Sequence, residues 1–116
     1  MPEAQCLFCK IVAGEIPADL VAESEHAIAF RDITPQAPVH VLVIPRAHLA
    51  SLGAASDGDA ALLGEVLMLA RDVARAEGVA EGGYRTVLNT GDDGGQSVHH
   101  LHVHVLGGRR FTWPPG

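Results

Sequence analysis

Three histidines at alternate positions, His100, His102 and His104, are interleaved with Leu101, Val103 and Val105. Successive side chains of a strand point to opposite faces, so this pattern predicts a strand with the imidazoles on one face and the aliphatics on the other. At a rise of ~3.3 Å per residue, the Cα atoms of His100 and His104 lie roughly 13 Å apart, whereas metal–imidazole bonds measure about 2.0 to 2.1 Å. One ion therefore cannot take all three. Neighbours two apart could share an ion, or one could bind metal while the other two serve chemistry. Unperturbed imidazole has a pKa of ~6.5, which leaves a large neutral fraction at neutral pH for nucleophilic attack or proton transfer. Before the row come Asn89, a loop of Gly91, Asp92, Asp93, Gly94 and Gly95, and then Gln96-Ser97. Glycine lets backbone N–H groups approach an anion closely. Loop and row together read as a phosphate site with a nucleophile on its floor; the alternative is a solvated strand with surface histidines.

Other residues with chemical potential are spread through the chain. Cys6 and Cys9 are spaced to lie one helical turn apart on one face of the short apolar segment around Leu7, Phe8, Ile11 and Val12. That is ligand spacing, but only half of a closed metal site, and His48 and His100 are available as the other half. His40 interrupts the otherwise apolar run Val39 to Ile44, and a buried imidazole there needs a hydrogen-bond partner. Asp32 ends a strand beside the proline-punctuated Thr34-Pro35-Gln36-Ala37-Pro38. Its carboxylate could cap a turn or accept the two hydroxyls of a ribose.

The elements that must position these residues can be read from periodicity. Residues 20 to 45 read as three strands, with Glu23-Ser24-Glu25-His26 as a hairpin turn between the first two. One long helix lies within 47 to 83: Asp57 or Asp59 can cap its start, Ala60, Leu63, Val66, Leu67, Ala70, and Val73 or Ala74 recur at helical spacing, and Gly78 ends it. Leu62, Met68 and Leu69 widen its apolar surface, which suits burial against a second subunit as well as a sheet, although a bulky core explains it equally well. Tyr84 to Asn89 forms the strand beside the histidine row. The fold class expected is α+β: an antiparallel sheet of about five strands, one long helix and one short N-terminal helix.

At 116 residues with 47% apolar content, the chain reads as one domain, 1–116, with 108–116 as a tail. The formal net charge of −6 argues against general nucleic-acid affinity, which needs a basic footprint. No run approaches the ~20 apolar residues of a membrane span, and the N-terminus, with Glu3 early, is not a secretory signal. A cytoplasmic location is inferred, and two cysteines there read as metal or redox residues rather than a structural disulfide.

His100-Leu101-His102-Val103-His104-Val105-Leu106 resembles the His-φ-His-φ-His-φ-φ signature of the histidine triad nucleotide-binding proteins, φ being apolar. The resemblance extends through Ile33 to Pro38, the strand ending Val43-Ile44-Pro45, and the closing Trp113-Pro114-Pro115-Gly116, and it is nearest the Hint branch. It implies hydrolysis of purine nucleoside 5′-phosphoramidates through a nucleotidyl-histidine. His102 is the implied nucleophile; His104, Asn89 and the N–H groups of Gly95, Gln96 and Ser97 would meet the phosphoryl charge. Ser97 and the surrounding histidines, His100 included, are the candidate proton donors, and His40 would set the nucleophile's tautomer or relay protons. Asp32 would bind ribose, with Ile33, Phe30, Phe8, Leu7 and Ile11 forming an apolar purine slot. The resemblance also implies structural zinc on Cys6, Cys9, His48 and His100, and a homodimer, with a larger joint sheet, in which the tail and Trp113 reach the partner's site. His99, where Hint proteins often carry an aromatic residue, alternates away from the row and reads as outer-face packing or surface. A dinucleoside polyphosphate hydrolase or nucleotidyl transferase of the same family, and a nucleotide-binding partner protein with vestigial catalysis, are the competing readings.

Overall fold

The computed structural model describes residues 3–116; Met1 and Pro2, the start of the expected domain, lie outside the described residues. The elements in chain order are α1 (Leu7–Val12), β1 (Leu20–Glu23), β2 (Ala27–Arg31), β3 (Val39–Pro45), α2 (Ala60–Ala76), β4 (Tyr84–Leu88) and β5 (Val103–Gly107). The strands form one antiparallel sheet in the order β1-β2-β3-β5-β4. This is the expected α+β architecture. Among the described residues no helix is long and apolar enough to cross a membrane.

The alternation of side chains divides the sheet into two faces with separate jobs. Ala27 and Ala29 of β2, Val41 and Val43 of β3, and Val103 and Val105 of β5 point to one face, where Val66, Leu69, Ala70, Val73 and Ala74 of α2 cover them. The opposite face carries Ile28, Phe30, Leu42 and Ile44, packed against Phe8 of α1. His40 and His104 fall on this second face by the same parity: His40 pairs with Leu106 and Leu42 with His104, so the two histidines are diagonal neighbours across the ladder.

α2 starts as expected at Asp59, though by a different device. A single 3-10 turn, Asp57–Asp59, precedes it, and the Asp59 carboxylate reaches back to accept the Ser56 N–H at 2.9 Å instead of taking an N–H of the helix. Its stripe is displaced slightly from the pattern read in sequence: Leu69 is buried, whereas Leu67 and Met68 are each 48% exposed. Gly78, at φ +76°, ends it.

The strand carrying the histidines is shorter than expected. β5 begins at Val103, so His100 and His102 precede the ladder. The reason lies in its neighbour, since β3 ends at Pro45, which has no N–H to give. The Pro45 carbonyl is taken instead by the His100 side chain, at 2.9 Å from Nε2, and the Leu101 N–H donates to the Leu49 carbonyl at 2.7 Å.

Candidate functional site

Freed from the ladder, the segment before β5 folds its polar groups inward. A carbonyl can only accept, so each ring nitrogen facing one must carry a proton. His102 Nδ1 lies 2.7 Å from the His100 carbonyl and is therefore the donor. A neutral His102 then has its lone pair on Nε2. Its ring stands edge-on to Phe8, with centroids 5.2 Å apart, and lies 5.0 Å from the His104 ring; His102 is buried.

The tautomer of His104 is set two links away. The Gln36 backbone N–H donates to His40 Nδ1 at 3.0 Å, so a neutral His40 carries its proton on Nε2. That nitrogen is 2.9 Å from His104 Nδ1 and 3.4 Å from Asp32 Oδ2. His104 Nδ1 thus accepts, and its Nε2 bears the remaining proton as a donor. Burial is the main influence on both rings: it lowers His40 below the usual imidazole range, partly offset by the charge of Asp32, and brings His104 down to about 4. Both are neutral at neutral pH. His40 touches His104 and not His102, so it does not itself set the His102 tautomer, the first of the two roles expected for it. The His102 tautomer is set by the His100 backbone.

These groups open into a cavity of about 280 Å³ whose wall includes Phe8, Phe30, Asp32, Ile33, Ser97, His102 and His104. Ile33 is 96% exposed at its rim, an apolar surface left to water that a flat aromatic ligand would cover. Asp32 shows the turn-capping behaviour, one of the two anticipated from its position. Oδ1 accepts the Thr34 N–H at 2.8 Å and the Thr34 hydroxyl at 3.2 Å, the turn-capping role, while Oδ2 faces His40. The Asp32-Ile33-Thr34 arrangement is an Asx turn.

The glycine loop does something other than expected. Gly95 N–H donates to the Asp92 carbonyl and Gln96 N–H to the Gly91 carbonyl, both at 3.0 Å, so neither N–H is free for an anion. A Cβ at Gly94 would stand 2.4 Å from the Thr90 carbonyl oxygen, so glycine is required there for the loop to close on itself. The buried Gln96 side chain braces it, donating to the Ala50 and Val98 carbonyls at 2.7 and 3.0 Å and accepting the Gly91 N–H at 3.0 Å. Among the described residues, Ser97 N–H is the one of the three with no protein acceptor. Asn89 follows β4 by one residue. Continuing the ladder past the Leu88 and Val103 pair would set it opposite His102, outside the cavity wall.

A second cluster lies behind the first. Cys6 caps α1, its sulfur accepting the Cys9 N–H at 3.3 Å. Cys6 Sγ is 3.3 Å from His100 Nδ1; Cys9 Sγ is 3.3 Å from His48 Nδ1 and 3.5 Å from His100 Nδ1. A tetrahedral ion with bonds of about 2.3 Å to sulfur and 2.0 to 2.1 Å to nitrogen sets S···N separations of roughly 3.6 Å, so the donors are spaced for one. The tautomer agrees: with Nε2–H given to Pro45, His100 has its Nδ1 lone pair facing the sulfurs, while His48 Nε2 faces the Glu3 carboxylate at 3.9 Å. Burial raises the Cys9 thiol above its usual range. Cys6, Cys9, His48 and His100 therefore form a possible metal site. His99 stays outside it as an exposed residue, as expected.

Asp32, His40 and His104 also lie close enough together to suggest ligands, but their chemistry does not fit. The Gln36 N–H occupies His40 Nδ1, so Nε2 holds the proton that a metal would have to displace. The signals missed in sequence are backbone ones: the Gln36 N–H and the carbonyls of Pro45 and His100 carry no side-chain signature.

The tail is anchored rather than loose. Arg85 Nη2 donates to the Thr112 carbonyl at 2.9 Å, and Arg109 stacks over Phe111 at 4.2 Å, leaving Trp113 82% exposed.

The model of the HIT domain family matches residues 13–111. A relative from Synechococcus elongatus, described as an uncharacterised HIT-like protein, is 54% identical over 110 residues, covering 95% of this chain and 96% of the relative. The crystal structure of a HIT family hydrolase from Legionella pneumophila is 54% identical, with a TM-score of 0.94 over 97% of this chain and 100% of that one. A histidine triad protein from Clostridium difficile is 38% identical, with a TM-score of 0.93 and 97% coverage of both chains.

Proposed function

The chain belongs to the HIT domain family, and from that premise we propose that it hydrolyses purine nucleoside 5′-phosphoramidates, releasing AMP and an amine. The observation that carries this reading is the direction of two protons. His102 gives Nδ1–H to the His100 carbonyl and keeps its lone pair at Nε2, while His104, accepting from His40, presents Nε2–H beside it. A nucleophile and a donor for the phosphoryl oxygens thus line the same cavity.

His102 Nε2 attacks phosphorus as the P–N bond breaks. A covalent nucleotidyl-histidine forms, and water then attacks its phosphorus and breaks the P–Nε2 bond to release AMP, so that one difficult step is divided into two. The departing amine takes a proton from the Ser97 hydroxyl or the histidine row, an aid worth about 10²- to 10⁴-fold. The His104 N–H and the Ser97 N–H meet charge on the phosphoryl oxygens, the electrostatic contribution that is usually largest. Asp32 Oδ2 accepts ribose hydroxyls, and Ile33 with Phe30 and Leu7 flanks the purine. The cysteine and histidine donors behind the site fit zinc, which would tie α1 to the segment before β5. Cys6, Cys9, His48 and His100 would hold it.

We read the molecule as a homodimer joined through the free edge of β4 and the exposed Leu67 and Met68 of α2, with Trp113 offered to the partner's amine subsite. Sedimentation at micromolar concentration checks this, and a monomer refutes it. For the activity, an adenosine 5′-phosphoramidate with an aromatic amine reporter is the substrate. Turnover in wild type, lost in His102→Ala while AMP still binds by calorimetry, is expected. A folded wild type that binds AMP without releasing amine would shift the assignment to phosphoanhydride substrates or to binding alone.

A further inference from the structure

His100 belongs to both clusters. Its side chain is fully buried, with Nδ1 facing the two cysteine sulfurs and Nε2–H held by the Pro45 carbonyl. Its own carbonyl receives the Nδ1–H of His102. The chain here is outside the sheet ladder, which begins only at Val103, so no regular pairing fixes that carbonyl. What holds it is the anchored imidazole of the same residue, the Leu101 N–H bond to Leu49, and Phe8, whose ring meets both His100 and His102 edge-on at 5.9 and 5.2 Å. Phe8 itself lies on α1 between the two cysteines. An ion on the four donors would therefore hold the His102 ring along two routes, through the His100 backbone and through the Phe8 ring.

We propose that His100 is a positioning residue that makes the orientation of the His102 ring depend on occupancy of the Cys6, Cys9, His48 and His100 site, so that zinc availability sets the catalytic rate of this protein. This rests on His102 being the nucleophile, yet the coupling has a signature that needs no turnover. Without the ion, only weak S–H···N contacts tie the thiols at the start of α1 to His100 Nδ1. The ring of His102 then samples orientations in which Nδ1–H is not given to the carbonyl. Asp32 and Ile33 lie in the loop after β2, apart from the metal donors, whereas Leu7 and Phe8 of α1 line the cavity, so nucleotide binding shares this dependence only through α1. The predicted effect is thus larger on kcat than on KM.

The test titrates zinc into metal-stripped protein and follows the His102 ring by nitrogen-15 correlation spectroscopy, together with kcat and KM for the phosphoramidate. Expected on loading are a sharpened, exchange-protected His102 Nδ1–H resonance and a kcat increase of roughly 10-fold, the scale on which groups supporting a metal site act. In His48→Ala, which removes a donor that does not touch His102, the zinc concentration for half-effect should rise by at least ~10-fold. Three results overturn the proposal: zinc binds stoichiometrically with the Nδ1–H signal unchanged, zinc does not bind, or the stripped protein loses its sheet, which would make the ion a requirement for folding. If the protein binds zinc and shows the His102 signature but turns over no phosphoramidate, the coupling stands and the substrate assignment falls.

Discussion

Acid should destabilise this protein through His104 by an amount that can be worked out from its surroundings. Burial, reinforced by the neighbouring His102 and His40, lowers His104 from 6.5 to about 4. The unfolded chain therefore takes up a proton near pH 6.5, and the folded one only near pH 4. The stabilisation from keeping this ring neutral is complete above the unfolded value, is lost as pH falls through the interval between the two, and changes no further below about 4. At about pH 5 the unfolded ring is almost wholly protonated and the folded one mostly neutral, so the loss relative to pH 8 is about 2 kcal/mol, at 1.36 kcal/mol per unit. His104→Gln removes it while its amide oxygen can still accept the His40 Nε2–H. Urea denaturation of both proteins at about pH 8 and pH 5 is the assay. With a slope of about 1 to 3 kcal/mol per molar, the wild-type midpoint should fall by roughly 1 to 2 M more than that of the variant. The carboxylates and the cysteine cluster are common to both proteins and cancel. Parallel losses in the two proteins would refute the neutral state of the part-buried His104.

Two packing predictions accompany this one. Gln96→Leu leaves the Gly91 N–H and the Ala50 carbonyl without their partner in a buried loop base, so a loss of roughly 2 to 3 kcal/mol in urea is expected; a change below ~0.5 kcal/mol would show that the brace does not hold the loop. Gly107→Ala would drive a Cβ to within 2.8 Å of Val79 at the end of β5, costing about 1 to 3 kcal/mol by overpacking. Pairing it with Val79→Ala should recover part of that loss in a double-mutant cycle, and strict additivity would count against the clash.

Much of the architecture was legible in advance because one-dimensional patterns map directly onto it. Alternation at Val41 and Val43, and at Val103 and Val105, determined which sheet face α2 covers, and with it the face on which His40 and His104 must lie. The helical turn between Cys6 and Cys9 placed both sulfurs on one side of α1. The loop was misread because glycine permits close approach without saying to what: at Gly94 the close neighbour is the Thr90 carbonyl. What only the tertiary structure decided is the direction of each proton. Whether His102 attacks or donates depends on the His100 carbonyl, and whether His104 donates or accepts depends on the Gln36 N–H acting through His40. Those are backbone groups that every residue possesses. Residue types alone specify an imidazole at each position, and the chain's path in space then selects its tautomer, because a carbonyl can only accept and an amide N–H can only donate.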